Sequence, residues 1–165
     1  MRTGFLAFGL MALAASAPAL ATDAPQRMGP GGSPISTSVS VPPGGRLVYI
    51  SGTVPDVVDA KAPEGSVARF GDTEAQTRSV LRKVEAALKD QGLALGDVVM
   101  MRVFLVAPQG QRMDFAGMMK AYREFFGTAA QPNKPARSTM QVGGLVDPGW
   151  LVETEDTAAK QGGVP

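Results

Sequence analysis

The segment Asp97-Val98-Val99-Met100-Met101-Arg102-Val103-Phe104-Leu105-Val106 constrains the fold more than any other part of the chain. A strand sends successive side chains to opposite faces, and here both faces are largely apolar. Such a strand belongs in the middle of a sheet, so neighbouring strands and a covering layer must come from elsewhere in the sequence. With 44% apolar residues among 165, the chain has the material for one packed domain.

The flanking segments supply those elements. Val80, Leu81, Val84 and Leu88 fall on one face at helical spacing. Thr73 with Gln76 fits a capping box at the start of that helix, and Gly92 with Leu93 fits its closing turn. A second helix is expected over 114–126, with Phe115, Met118, Tyr122, Phe125 and Phe126 as its buried stripe and Gly127 as its stop. Such a stripe is core rather than a cofactor box. Thr37, Val39 and Val41 alternate with serines as a half-buried strand does. The Pro42-Pro43-Gly44-Gly45 turn then leads to a partner strand over 46–51. Residues 136–142 and 150–158 read as two further strands, joined through the Asp147-Pro148-Gly149 turn and expected to pair as a hairpin. The order strand–strand–helix–strand–helix–strand–strand gives an α+β domain. The sequence holds no solenoid-like repeat, no glycine-rich nucleotide loop and no acidic metal motif.

Composition removes whole classes of chemistry. The chain has no Cys and no His, so thiol nucleophiles, His-based triads and the usual zinc or iron ligand sets are excluded. A formal net charge of +1 gives no reason to expect a nucleic-acid partner. Any catalysis has to use carboxylates, Arg, Lys, Tyr, hydroxyls or backbone groups.

At the N-terminus, Arg2 precedes an apolar run from Phe5 to Leu20, broken by Pro18 and followed by Ala19-Leu20-Ala21. The run is shorter than the ~20 residues a spanning helix needs, and the small-x-small ending suits signal-peptidase cleavage after Ala21. Residues 1–21 are therefore expected to be a signal peptide and 22–34, rich in Pro and Gly, a flexible arm. The folded domain then covers 35–159, and 160–165 is a frayed tail. The mature protein is expected to be periplasmic or secreted, with no stable membrane anchor.

Charges on strands are the candidates for chemistry. Arg137 opens the fourth strand. Glu153 and Glu155, two residues apart on the last strand, share a sheet face. If those strands pair, Arg137 comes within reach of the carboxylates. That arrangement suits a structural ion pair or a site in which Arg binds a ligand carboxylate and Glu handles water or a proton.

Several segments resemble the RidA (YjgF) family of enamine/imine deaminases. Residues 47–55, with Ser51-Gly52-Thr53-Val54-Pro55 at their end, resemble its SGQIP strand end. Residues 97–105 are similar to its GDIVKTTVFV strand, Ala121-Tyr122-Arg123-Glu124-Phe125-Phe126 to its YEAFF helix end, and Leu151-Val152-Glu153-Thr154-Glu155 to its IEIEA closing strand. Pro135-Ala136-Arg137-Ser138 matches its PARS signature. The resemblance runs from about 41 to 159.

The resemblance implies a chorismate-mutase-like sandwich, a mixed β-sheet with two helices packed on one face. It also implies a homotrimer with clefts between subunits. It implies that Arg137 binds a substrate carboxylate and that Glu153 positions water. The backbone carbonyl of Thr139 would contact that water, and Ser51 would lie near the substrate. The implied reaction is hydrolysis of a 2-imino acid or enamine to a 2-keto acid and ammonia, without metal or organic cofactor. The alternative is a non-catalytic small-molecule-binding or chaperone-like protein on the same scaffold. Ile35 and Met119 stand where the family often has a Tyr and an Asn, and the closing hairpin is about one residue longer. The implied pocket wall is less polar and the substrate range different.

Overall fold

The computed structural model describes residues 24–108 and 110–160. The expected signal peptide and the stretch 161–165 of the expected tail lie outside the described residues. Eight principal elements follow in order: β1 (Gln26–Met28), β2 (Ser38–Ser40), β3 (Arg46–Thr53), α1 (Thr73–Asp90), β4 (Val98–Val106), α2 (Phe115–Phe125), β5 (Ala136–Val142) and β6 (Val152–Lys160).

β3, β6, β4 and β5 lie side by side in that order, and β1 and β2 form a separate antiparallel ribbon. β6 runs antiparallel to both β3 and β4, whereas β5 runs parallel to β4. The sheet is therefore mixed. β4 is central, as its two apolar faces require. Val152, Thr154, Asp156 and Ala158 of β6 are buried on one face beside Met101, Val103 and Leu105 of β4. α1 and α2 pack on that face: Val80, Leu81, Val84 and Leu88 from α1 and Met118 and Tyr122 from α2 complete one core. Each such Val or Leu contributes about 1.5–3 kcal/mol by leaving water. The opposite sheet face is open, with Leu47, Tyr49 and Met140 exposed.

Several local devices follow the sequence. Beyond the end of α1, Gly92 takes a φ of 68° that no β-carbon favours, and Leu93 N–H donates to Leu88 O at 2.9 Å across the closing turn. Gly127, at φ 71°, stands just beyond the end of α2. Trp150 N–H donates to Asp147 O at 3.0 Å, which closes the turn around Pro148 and Gly149. Gly149 is required there because a β-carbon would meet Ser66 O at 2.5 Å.

Five expectations need correction. The ribbon over 37–51 does not form: β2 pairs with β1, Arg27 opposite Val39. Pro42 and Pro43 bring no N–H to a ladder, and the chain leaves β2 there. The arm expected over 22–34 holds a strand, and it is fastened. Arg27 Nη2 donates to Gly96 O at 2.7 Å, and Lys134 Nζ donates to Ser33 O at 2.7 Å.

β5 and β6 are not a hairpin, because β4 lies between them. The crossover through α2 sets β5 parallel to β4, and the segment 143–151 is long enough to carry the chain past β4 to its other side. The cap of α1 is Asp72, whose Oδ1 accepts from Ala75 N–H at 2.8 Å. Gln76 is instead fully buried. Its Nε2 donates to Gly71 O and Gly149 O, both at 2.9 Å, and its Oε1 accepts from Leu151 N–H at 2.7 Å. Finally, Phe115 is exposed, because Asp114 caps α2 and turns its first residue outward.

Candidate functional site

The four residues singled out from sequence fall into two groups. Arg137 and Thr139 lie on β5, opposite Met101 and Val103 of β4, and so on the sheet face that carries the helices. Glu153 is opposite Phe104, on the open face, with Ser51 and Gly52 from the end of β3 nearby. β4 and the thickness of the sheet separate the two groups. Within one chain Arg137 therefore does not reach Glu153 or Glu155. The partner of Glu155 is Arg102, directly opposite on β4, at 3.2 Å.

Arg137 follows Pro135, which fixes the entry into β5, and Ser36 bridges to Ala136 in parallel fashion on the outer side. Its guanidinium carbon lies 4.3 Å from the centre of the Tyr122 ring. Its Nη2 lies 3.0 Å from Met119 Sδ, a weak acceptor. Its Nε and Nη1 are buried and have no hydrogen-bond partner among the described residues. The Thr139 hydroxyl, on the same strand and face, is also buried without a partner. Burial depresses the Arg137 pKa below its usual value, with Tyr122 opposing and Arg123 adding to the effect. Burial pushes the Tyr122 hydroxyl up to about 12, against the pull of Arg137. Tyr122 donates its O–H to Pro34 O at 3.1 Å, and Ile35 packs beside the core. This half of the site is a cation enclosed by aromatic, thioether and aliphatic groups with donors unused.

The second half is acidic and open. Tyr49, Ser51, Gly52, Met100, Arg102 and Glu155 line a depression of about 240 Å³ on the open face. A β-carbon on Gly52 would fall on the Glu153 carboxylate, so the glycine lets that carboxylate rest against the strand. Gly52→Ala is expected to displace Glu153 and lower any activity that depends on that carboxylate. Stability should change little, because only the end of a flexible side chain must move. Paired activity and thermal-melt measurements check this.

Sequence reasoning did not anticipate the contacts of Tyr122 and Met119 with Arg137. Both were legible as neighbours on one face of α2, three residues apart, but nothing in the spacing said that β5 would lie under that face. It also missed Asp156, a carboxylate on the helix face of β6, 3% exposed. Its parity was the signal: Glu153 and Glu155 share a face, so Asp156 must point the other way. Asp156 Oδ2 accepts from Thr154 Oγ1 at 2.9 Å, while Oδ1 is buried without a partner among the described residues. Burial raises its pKa to about 7, opposed by the Thr154 hydrogen bond.

Residues 34–160 match the model of a family described as Endoribonuclease L-PSP, the RidA/YjgF proteins. The chain belongs to this family. It is 33% identical over 128 residues to a RutC family protein of Pyrococcus abyssi, covering 78% of this chain and 87% of that one. It is 38% identical over 101 residues to the 2-iminobutanoate/2-iminopropanoate deaminase of Salmonella typhimurium, covering 61% and 70%. Among solved structures, Escherichia coli TdcF with bound serine shares the RidA fold at TM-score 0.55 and 28% identity, over 84% of this chain and 94% of that one. A Rid family protein of Yersinia pestis shares the fold at TM-score 0.60 and 24% identity, over 81% and 97%. The α+β sandwich with two helices on one face of a mixed sheet is thus the RidA fold, and some RidA relatives carry imine-deaminase names.

Proposed function

We propose that this protein hydrolyses 2-imino acids or their enamine tautomers to 2-keto acids and ammonia. The observation that carries the reading is the state of Arg137. A half-buried guanidinium that, among the described residues, has two unpartnered donors and no carboxylate beside it is costly in a folded chain. A planar carboxylate from a ligand supplies both the missing charge and the missing acceptors. The imino acids named for the Salmonella relative carry such a group, and serine, bound by E. coli TdcF, carries one too.

Arg137 anchors the carboxylate and holds the imine carbon at a fixed place. Glu153 orients water for attack on that carbon and passes a proton to the leaving nitrogen, with the Thr139 carbonyl as a second acceptor for the water. Ser51 lines the substrate's approach. The imine is already electrophilic, so the mechanism calls on no metal or organic cofactor.

Arg137 and Glu153 lie on opposite faces of one chain, so they can meet only when a second copy brings its Glu153 to this chain's Arg137. Exposed Leu47, Tyr49 and Met140 on the open face supply apolar surface for that contact. A closed ring of three copies, each giving one half-site to each neighbour, satisfies the geometry. In this reading the mature chain is exported and acts on imines formed outside the cytoplasm, for example by amino-acid oxidation.

The experiment is complementation. Arg137→Ala and Glu153→Ala chains are each inactive in ammonia release from imino acids generated in situ. Refolded together in equal amounts, they recover about a quarter of the wild-type sites if each site draws on two chains of a random ring. No recovery, with mixed oligomers demonstrated by mass, sinks the shared site. Wild-type protein that binds 2-keto acids through Arg137 but releases no ammonia from any imine establishes the non-catalytic binding reading instead.

A further inference from the structure

A guanidinium buried in a protein is ordinarily held by a carboxylate, which satisfies its charge and occupies its donors together. Arg137 is held differently. Tyr122 presents its ring face at 4.3 Å, and the other contact is the thioether of Met119. A ring quadrupole stabilises the cation without accepting an N–H bond, so Nε and Nη1 keep their donors free. The ring cannot tilt away. It is 1% exposed, it stacks on Phe126 at 4.9 Å with 18° between planes, and its hydroxyl is tied to Pro34 O.

We propose that Tyr122 is a positioning residue for the carboxylate anchor, keeping Arg137 charged and fixed while leaving its hydrogen-bonding capacity for the ligand. This rests on the reading of Arg137 as the anchor. Met119 completes the arrangement: its sulfur is a weak acceptor on a flexible stem, displaced when a carboxylate arrives. The hydroxyl of Tyr122 adds a second consequence. Through Pro34 it joins the segment before β2 to the site, so the N-terminal arm stiffens the anchor without touching the ligand.

The test separates ring electronics from shape. Tyr122→Phe keeps the ring face, and fluorinated phenylalanines at the same position weaken the quadrupole stepwise with almost no change in size. Calorimetric titration with 2-oxobutanoate is expected to give Tyr122→Phe an affinity within about twofold of wild type. Affinity should then fall progressively, by about tenfold at the most fluorinated ring. The side-chain Nε–H resonance of Arg137 should move along the same series. Tyr122→Leu should lose about tenfold or more, and if it fails to fold the isosteric series still decides. An affinity that is flat across the fluorinated rings overturns the positioning role while leaving the anchor standing. If wild type and Arg137→Lys bind 2-oxobutanoate equally well, the anchor itself is wrong and this role goes with it.

Discussion

Under the proposed function, Arg137→Lys is expected to lower turnover of a 2-imino acid at least about 100-fold while the fold and any oligomer survive. Lysine keeps the positive charge, so a site that needed only a cation would tolerate it. It does not keep the planar fork, and its compact ammonium cannot cover the Tyr122 ring as broadly as a guanidinium, whose carbon lies 4.3 Å from the ring centre. A lysine buried there with no carboxylate beside it would also tend to lose its proton, since burial already depresses Arg137. Misplacing the bound carboxylate misplaces the imine carbon relative to water. Glu153→Gln is the matching change on the other half-site. It should leave 2-keto acid binding nearly intact and reduce turnover, because a neutral amide orients water poorly and cannot take its proton. Steady-state ammonia release and calorimetric binding on the same preparations separate these effects. Full activity in Arg137→Lys would end the case for a carboxylate anchor.

The second large effect concerns stability. Asp156 has an ordinary pKa of 3.8 and is raised to about 7 by burial in the folded chain. Between those values the native chain holds a proton that the unfolded chain has released. Its contribution is therefore fully present below about pH 4 and is lost as pH rises toward 7. The loss amounts to about 4 kcal/mol. Asp156→Asn cannot ionise and should escape it. Urea unfolding of wild type and variant at pH 4 and pH 8 should show the difference between them shifting by about that amount in favour of the variant. Parallel pH profiles for the two proteins would show that Asp156 does not titrate in this interval.

Much of the architecture was legible in the sequence because hydrophobic period and turn chemistry are local. The two-faced apolar run of β4, the stripe of α1, the Gly92 stop and the Asp147–Trp150 turn each follow from residues within a few positions. Strand partners did not follow. Period-two alternation says which residues share a face, but it does not name the neighbour. A turn between two strands made a hairpin the simple expectation for β5 and β6, yet β4 needs covered edges on both sides and takes one of these strands at each. The same error put Arg137 beside Glu153. Gln76 shows the limit at the level of one residue. Its sequence position suits a cap, but the apolar side of α1 turns it inward, where the backbone of 71, 149 and 151 supplies its partners.

The place of β6 also sets the order in which the chain can fold. Among the described residues it is the last strand in sequence, and it is an interior strand of the sheet, between β3 and β4. Until it arrives, β3 has no partner in the main sheet and β4 lacks one of its two, and the amide of Gln76 cannot bond the backbone of 149 and 151. The main sheet is complete only when β6 joins it, and that joining brings together segments about a hundred residues apart, at a high cost in loop closure. A chain released with β6 missing would remain open and prone to association through its bare strands. If the proposed export proceeds by threading, the same delay would be useful, because the chain stays threadable until β6 has been made.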